Sequence, residues 1–447
     1  MFIPNDVKVI LDTLKNNGCE AYIVGGSIRD FITGTYEPKD YDIATNALPE
    51  AIIKFFRKTI PTGIKHGTIT VMINGEGYEV TTYRIDGEYL DNRRPEDVTF
   101  VSNLKEDLAR RDFTVNALAF NEDNGIIDYF GGIKDLDNKI IKAVGEPNKR
   151  FEEDALRMLR AIRFAASLDF EIEERTFQAI KTNSNRILNV SNERIRDELC
   201  KMLVTKNAAK ALRLLEKTRL LEFILPELQK TVGFNQQNPH HNKDIFEHTL
   251  AVVENCPQEL NLRMAALLHD IAKPLCFTID KNDIGHFYGH DKKGDRLSSQ
   301  ILRRLKFDNE SIGEISLLVK EHMNVLEKPT DASVKRLINR VGIGLVPNLF
   351  ALQRADALGS SSPKLRLEEI QRVEEKTREI LEAKVPLSIS ELKVSGNDLI
   401  QEFSIKPSAE IGNMLKFLLD KVLENPQVNS REKLLTIIND EYEFMQK

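Results

Sequence analysis

The sequence predicts an α+β protein: a small N-terminal domain of mixed sheet plus helices, followed by a mostly α-helical remainder. Two observations carry that expectation, and a third bears on function. Up to about residue 145, short β-rich runs (AYIVGG, GTITVMI, YEVTTYR, VNALAF, GIIDYFGG) alternate with two amphipathic helices near 5–17 and 48–58. From Asn148 onward, FEEDALRMLRAIRFAASLDF, EERTFQAIKTNS, NERIRDELCKMLVT and AAKALRLLEKTRLLEFILPEL space their apolar residues three and four apart, as helices do. Finally, seven of the eight histidines fall between positions 240 and 322, which points to a metal site in the second half.

At 447 residues the chain exceeds a single core, and its length suggests about three units. Its 41% hydrophobic and 30% charged residues describe a soluble globular protein. No run approaches the ~18 apolar residues of a membrane span, and MFIPNDVKVILDTLKNNG lacks a basic stretch followed by an apolar core. The expected location is therefore cytoplasmic, with no membrane partner. Cys19, Cys200, Cys256 and Cys276 show no C-x-x-C spacing, so reduced thiols are expected. A net charge of −6 neither announces nor excludes a nucleic-acid partner. Oligomeric state leaves no signal in the sequence.

The stretch KDYDIAT opens the functional reading. On a strand, Asp40 and Asp42 point to the same face, and their repulsion is relieved if a divalent cation sits between them. Mg²⁺ favours one or two carboxylates plus substrate phosphates. An isolated D-x-D is more often a solvated turn, so the neighbours decide. Upstream, GGSIRD supplies glycines (Gly26 among them) that let backbone approach a phosphate, the Ser27 hydroxyl, and Arg29 for a triphosphate oxygen. Two metals on such a carboxylate pair suit in-line displacement of pyrophosphate by a 3′-hydroxyl. Glu79, in YEVTTYR, is a candidate third carboxylate and reads equally well as a surface glutamate. In ARRDFTVNALAF, Arg110 or Arg111 can neutralise triphosphate charge, and Asp112 can hold the arginine or a ribose.

Further on, Asp154 and Arg157 stand three apart and, on one helix, would share a face. Such spacing is ordinary in solvated helices. It also fits base chemistry: cytosine and adenine each present an amino donor beside a ring-nitrogen acceptor, which a carboxylate and a guanidinium match. Uracil and guanine reverse that order, leaving unsatisfied groups at about 1 to 3 kcal/mol each. Arg160 and Arg163 continue the same side and can reach phosphates or stack on a base.

Taken in order, GGSIRD with KDYDIAT, RRDFTVNAL, DYFGG, EEDALR and RAIRFAASLDF resemble the successive motifs of class II tRNA nucleotidyltransferases, the CCA-adding enzymes, and of bacterial poly(A) polymerases. The resemblance covers residues 20 to about 225. It implies a polymerase-β-like head (1–140), a helical neck that reads the base (141–235), a body (236–364) and a helical tail that binds RNA (365–447). By the same resemblance Asp40 and Asp42 hold Mg²⁺, while Gly26, Arg29, Arg111, Asp154, Arg157, Arg160 and Arg163 contact ATP or CTP. The partner is the 3′ end of the tRNA acceptor arm. DYFGG, Asp128 to Gly132, would form a hinge. RIDGEYLDNRRPEDVTFVSNLKEDLA looks like the full-length loop that switches C to A addition, which disfavours a CC-only enzyme.

In the body, IFEHTLAVVEN, RMAALLHDIAKP, HFYGHDKKG, VKEHMNVL and LQRADALGSSS resemble the HD phosphohydrolase superfamily. That resemblance implies His248, His269, Asp270 and Asp356 as ligands of Mn²⁺, Ni²⁺, Fe²⁺ or Mg²⁺, with Lys273 close by. His290 and His322 can extend the site to two metals. His240, His241 and His286 read as loop residues. The leading expectation is CCA addition with an accessory HD site. An A-adding enzyme or poly(A) polymerase shares the head motifs, and an HD phosphohydrolase with a regulatory head is the alternative from another class.

Overall fold

The computed structural model describes residues 3–34, 41–86, 98–237, 244–361, 363–383 and 386–445. The chain divides into two compact units, Met1–Gln229 and Lys230–Lys447.

The first unit is built on a seven-stranded mixed sheet. Its strands are β1 (Ala21–Val24), β2 (Asp42–Thr45), β3 (Thr59–Gly63), β4 (Thr68–Ile73), β5 (Glu76–Thr82), β8 (Leu118–Asn121) and β9 (Gly125–Asp128), in spatial order β3-β4-β5-β2-β1-β8-β9. Only β2 and β5 run parallel; the other neighbours are antiparallel. β1 is buried throughout, so its sequence is a plain apolar run without alternation. β3 is one of the two edge strands, and it carries Pro61, which a central strand would not accept. Between β5 and β8, β6 (Arg84–Asp86) and β7 (Val98–Phe100) pair antiparallel, forming the stem of the expected loop, whose residues 87–97 lie outside the described ones.

Helix α1 (Asn5–Asn16) buries Val7, Ile10, Leu11 and Leu14, the three- and four-residue spacing seen in its sequence. The second expected helix is shorter than its pattern: α3 spans Pro49–Phe55, and Phe56 has already turned extended. Helix α2 (Gly26–Ile32) follows the Gly-Gly turn, and two further helices were not anticipated in this region: α4 (Leu104–Ala109) and α5 (Gly132–Asp137). Each has eight residues or fewer, too few for periodicity to register. Tyr22, Val24, Ala44, Tyr83, Leu104, Leu108, Ala117 and Ala119 form a core between sheet and α4.

The expected hinge is a tied turn. Asp128 accepts from the backbone N–H groups of Phe130, Gly132 and Ile133 at 3.2, 2.9 and 3.0 Å. A methyl group on Gly132 would fall 2.3 Å from the Thr114 carbonyl oxygen, so only glycine fits this approach.

Helices α6 (Pro147–Glu153), α7 (Leu156–Ser167), α8 (Glu174–Asn183), α9 (Asn192–Leu203), α10 (Ala208–Lys217), α11 (Leu220–Ile224) and α12 (Pro226–Gln229) complete the first unit. The short strands β10 (Ile140–Ile141) and β11 (Glu171–Ile172) pair parallel among them.

The second unit is helical: α13 (Ile245–Asn255), α14 (Leu260–Leu268), α15 (Lys273–Cys276), α16 (His290–Arg304), α17 (Asn309–Glu321), α18 (Asp331–Val341), α19 (Val346–Gly359), α20 (Pro363–Glu382), α21 (Gly396–Phe403), α22 (Ala409–Glu424) and α23 (Arg431–Met445). One hairpin, β12 (Thr278–Ile279) with β13 (Gly285–His286), interrupts it. Among the described residues, no helix is long and apolar enough to cross a membrane. All four cysteines are free thiols.

Candidate functional site

In the first unit the chemistry gathers where β1 ends. Gly25 adopts φ +81° and turns the chain into α2. A methyl group there would sit 3.1 Å from Arg111 Nη1 and 3.9 Å from Asp42 Oδ2, so the glycine is what lets turn, arginine and acid converge. Asp42 is the exposed first residue of β2; Asp40 lies outside the described residues. Parallel pairing of β2 with β5 sets Ile43 beside Val80, which places Asp42 and Glu79 one position earlier on the same sheet face, both exposed. The Ser27 hydroxyl and Arg111 Nε are buried without a hydrogen-bond partner, two donors available to an anion. Burial pulls the Arg111 guanidinium below its ordinary pKa against the opposing charge of Asp107.

The two adjacent arginines share buried Asp107 and then diverge. Arg110 grips it through Nε and Nη2, at 2.9 and 2.8 Å, while Arg111, with Nη2 3.6 Å from the same carboxylate, reaches the Gly25 turn through Nη1. Asp112 is taken up by protein: Oδ2 accepts from Arg160 Nε at 2.8 Å, and Oδ1 accepts from Phe113 N and Asn116 Nδ2. Burial would raise its pKa, but Arg160 and the Asn116 bond outweigh that and hold it below the ordinary carboxylate value.

Phe164 organises the neighbouring arginines. Arg29, Arg160 and Arg163 lie over its ring at 5.2, 5.3 and 4.1 Å from the centroid. Arg29 also donates to Asn116 Oδ1 at 2.7 Å, and Arg163 to Glu198 at 2.6 Å.

The base-reading pair departs from expectation. Asp154 does not share a helical face with Arg157, because it closes α6 with extended backbone (φ −143°, ψ 104°) before α7 starts at Leu156. Each has another partner. Arg157 pairs with Glu153 at 2.6 Å and donates to the carbonyls of Arg150 and Arg110, while Asp154 pairs with Arg194 at 2.8 Å. The pairing along one helix is therefore corrected to two crossed ion pairs. Asp107, Phe164, Arg194 and Glu198 were missed. Each acts through a partner distant in sequence, or as an ordinary apolar or charged helix residue.

The second unit brings His248 (α13), His269 and Asp270 (after α14), His290 (start of α16), His322 (end of α17) and Asp356 (α19) to one place. His248 Nε2 lies 3.0 Å from Asp356 Oδ1 and 3.3 Å from His269 Nε2; His290 Nε2 lies 3.4 Å from His322 Nε2. The Nδ1 atoms of His269, His290 and His322 face the carbonyls of Ala266, Phe287 and Val319 at 2.8, 2.8 and 2.6 Å. A carbonyl only accepts, so each Nδ1 carries the proton and each Nε2 lone pair points inward, the arrangement of metal-ligating histidines. Burial pushes His322 down to about 4, leaving a neutral ligand. Lys273 Nζ lies 2.7 Å from Asp270 Oδ2. His286 sits on β13 rather than in a loop, with its ring 2.9 Å from Asp280; His240 and His241 lie outside the described residues.

A sheet that brings an aspartate, a glycine turn and under-satisfied phosphate-ready donors together, backed by arginine-bearing helices, defines a nucleotidyltransferase. Residues 21–142 match the poly(A) polymerase head domain, 169–231 the probable RNA and SrmB-binding site of polymerase A, and 293–438 a putative tRNA nucleotidyltransferase domain 2. A CCA-adding enzyme of Ligilactobacillus salivarius is 36% identical across 97% of this chain and 96% of its own, and one of Bacillus cereus is 34% identical across 95% of both. The solved CCA-adding enzyme of Bacillus stearothermophilus in complex with CTP is 28% identical, with TM-score 0.74 over 100% of both chains. The Thermotoga maritima CCA-adding enzyme complexed with tRNA, 22% identical with TM-score 0.63 over 98% of this chain and 96% of its own, shares the fold. The chain belongs to the family of CCA-adding enzymes. Enzymes of this family depend on a divalent metal ion.

Proposed function

We propose that this protein adds or repairs the 3′-terminal CCA of tRNA from CTP and ATP with Mg²⁺, without a template, in the cytoplasm. One observation carries the reading beyond family membership: Asp42, the Gly25 turn and Arg111 converge beside a Ser27 hydroxyl that has no partner. The tRNA 3′-hydroxyl attacks the α-phosphorus and pyrophosphate leaves. Mg²⁺ on Asp40 and Asp42, with Glu79 on the same sheet face as Asp42, would lower the hydroxyl's pKa and neutralise the leaving group. Ser27, Arg29 and Arg111 receive the triphosphate, with Gly26 leaving backbone open to it. Arg160 and Arg163 are steadied on Phe164 at its edge. Arg110 and Asp112 serve as supports, through Asp107 and Arg160. Asp154 and Arg157 read the base edge. Residues 1–140 act as head, 141–235 as neck, 236–364 as body and 365–447 as RNA-binding tail.

Replacing Asp42 with alanine tests the reading. Addition is expected to fall by at least 10³-fold with tRNA binding retained, as for loss of a metal-holding carboxylate. Addition at wild-type rate would overturn the assignment.

A second site follows from the inward-facing imidazoles. His248, His269, Asp270 and Asp356 suit a divalent transition metal such as Mn²⁺, Ni²⁺ or Fe²⁺, or Mg²⁺. Metal analysis of the His269→Ala/Asp270→Ala double variant checks it: bound metal should disappear, and unchanged content would refute the site.

A further inference from the structure

We infer that Asn116 is a positioning residue for nucleotide transfer: its side-chain amide joins Arg29 to the Asp112–Arg160 pair and so sets the register of the incoming triphosphate against helix α7. The inference rests on the reading above that Arg29 receives the triphosphate, and adds the residue that aims it.

Asn116 closes a short turn, Thr114–Asn116, that leads from Phe113 towards strand β8. The turn is anchored at its first residue, where the Thr114 N–H donates to the Lys142 carbonyl at 2.9 Å and the hydroxyl to Asp135 at 2.6 Å. At its last residue the Asn116 carbonyl oxygen lies against the Gly25 turn, 4.0 Å from where a methyl group on that glycine would stand. The residue is buried, so its amide must find partners within the protein.

Only one orientation of that amide satisfies its neighbours. Oδ1 accepts from Arg29 Nη1 at 2.7 Å, and Nδ2 donates to Asp112 Oδ1 at 3.1 Å. Turned over, it would set an NH₂ group against a guanidinium, which has donors alone, and an oxygen against an ionised carboxylate, which only accepts. An aspartate here would repel Asp112, and a leucine of similar size would serve neither partner.

The line of contacts continues past Asp112. Its Oδ2 lies 2.8 Å from both Arg160 Nε and Nη2, so Arg29, Asn116, Asp112 and Arg160 form one run of hydrogen bonds to charged groups from α2 to α7. Arg29 and Arg160 are like charges over the same Phe164 ring, and the amide and the carboxylate link them despite their repulsion. Asp30 holds the other edge of Arg29, at 2.8 Å from Nε and 2.7 Å from Nη2. The guanidinium is thus fixed from both sides, while each terminal nitrogen keeps a second N–H for phosphate. A donor held in this way meets the triphosphate without reorganising. The partners of Asn116 are Arg29 and Asp112 rather than the base-reading Asp154 and Arg157, so its effect falls on CTP and ATP alike.

The test compares the full-length wild type, Asn116→Ala, Arg29→Ala and the double variant. It measures steady-state addition of CTP and ATP, and inhibition by inorganic triphosphate in excess Mg²⁺, a probe without ribose or base. Asn116→Ala should raise KM for both nucleotides and Ki for inorganic triphosphate about tenfold, with kcat within about threefold and discrimination against UTP and GTP unchanged. In the Arg29→Ala background the same change should add less than about twofold, because the group it aims is gone. Asn116→Ser, whose hydroxyl is too short to span both partners, enters the same cycle if the alanine chain does not fold. An unchanged KM, lost discrimination, or effects that multiply with those of Arg29→Ala overturn the inference and leave the Arg29 reading standing. Wild-type KM and Ki in Arg29→Ala overturn both.

Discussion

Arg194 holds Asp154 at two points, Nη2 to Oδ2 at 2.8 Å and Nη1 to Oδ1 at 3.4 Å, across 40 residues of sequence. Asp154 lies in the break between α6 and α7, where its Oδ1 accepts from Leu156 N at 3.0 Å, and α9 supplies the restraint on the rest of the carboxylate. Arg194→Ala should therefore lower discrimination of CTP and ATP against UTP and GTP by about tenfold, roughly 1.4 kcal/mol, with a smaller change in kcat for CTP. Arg194→Lys should recover part of it. Misincorporation kinetics check this, and unchanged discrimination in Arg194→Ala would contradict it.

Phe164 supports three guanidinium groups. Phe164→Leu keeps most of the buried volume and removes the aromatic face, so KM for CTP and ATP should rise about three- to tenfold, with a modest fall in Tm. Steady-state kinetics decide it; an unchanged KM would make the ring a packing residue only.

How much of this was legible follows from the range of each signal. The D-x-D, Gly-Gly and Arg-Arg-Asp motifs are local, and the histidines are rare enough for their clustering to show. Strand β3 was missed because Pro61 and Gly63 disguise it, and both are acceptable at the sheet edge. The Asp154–Arg157 pairing failed because a three-residue spacing implies one face only if the helix is continuous, and here it breaks at Asp154. Arg194 and Glu198 look like ordinary charges of an amphipathic helix; only tertiary packing of α7 against α9 gives them Asp154 and Arg163.

Gly132 and Gly313 give opposite expectations for the same change. Gly132→Ala drives a methyl into the Thr114 carbonyl and should cost about 2 kcal/mol or more. Gly313, inside α17, has nothing within 4 Å of its added methyl, so Gly313→Ala should gain about 0.5 to 1 kcal/mol. Denaturant unfolding of the two variants measures both signs.

Asp112 links the Arg160 pair to acid stability. Burial opposes ionisation, but Arg160 holds the folded pKa below the ordinary 3.8, so the pair's stability is present above that value and lost as pH falls through the folded one. Asp112→Asn should be less stable than wild type near neutrality, and the gap should narrow below about pH 4. Melting curves across that range test the sign; a constant gap would contradict it.

The most direct measurement supplies purified protein and Mg²⁺ with a tRNA lacking its last three nucleotides, and CTP alone, ATP alone, both, or UTP with GTP. The account predicts two additions with CTP, none with ATP alone or with UTP and GTP, and C, C and one A followed by arrest with CTP and ATP together. An open-ended A ladder, or addition only to tRNA already ending in CC, would contradict it.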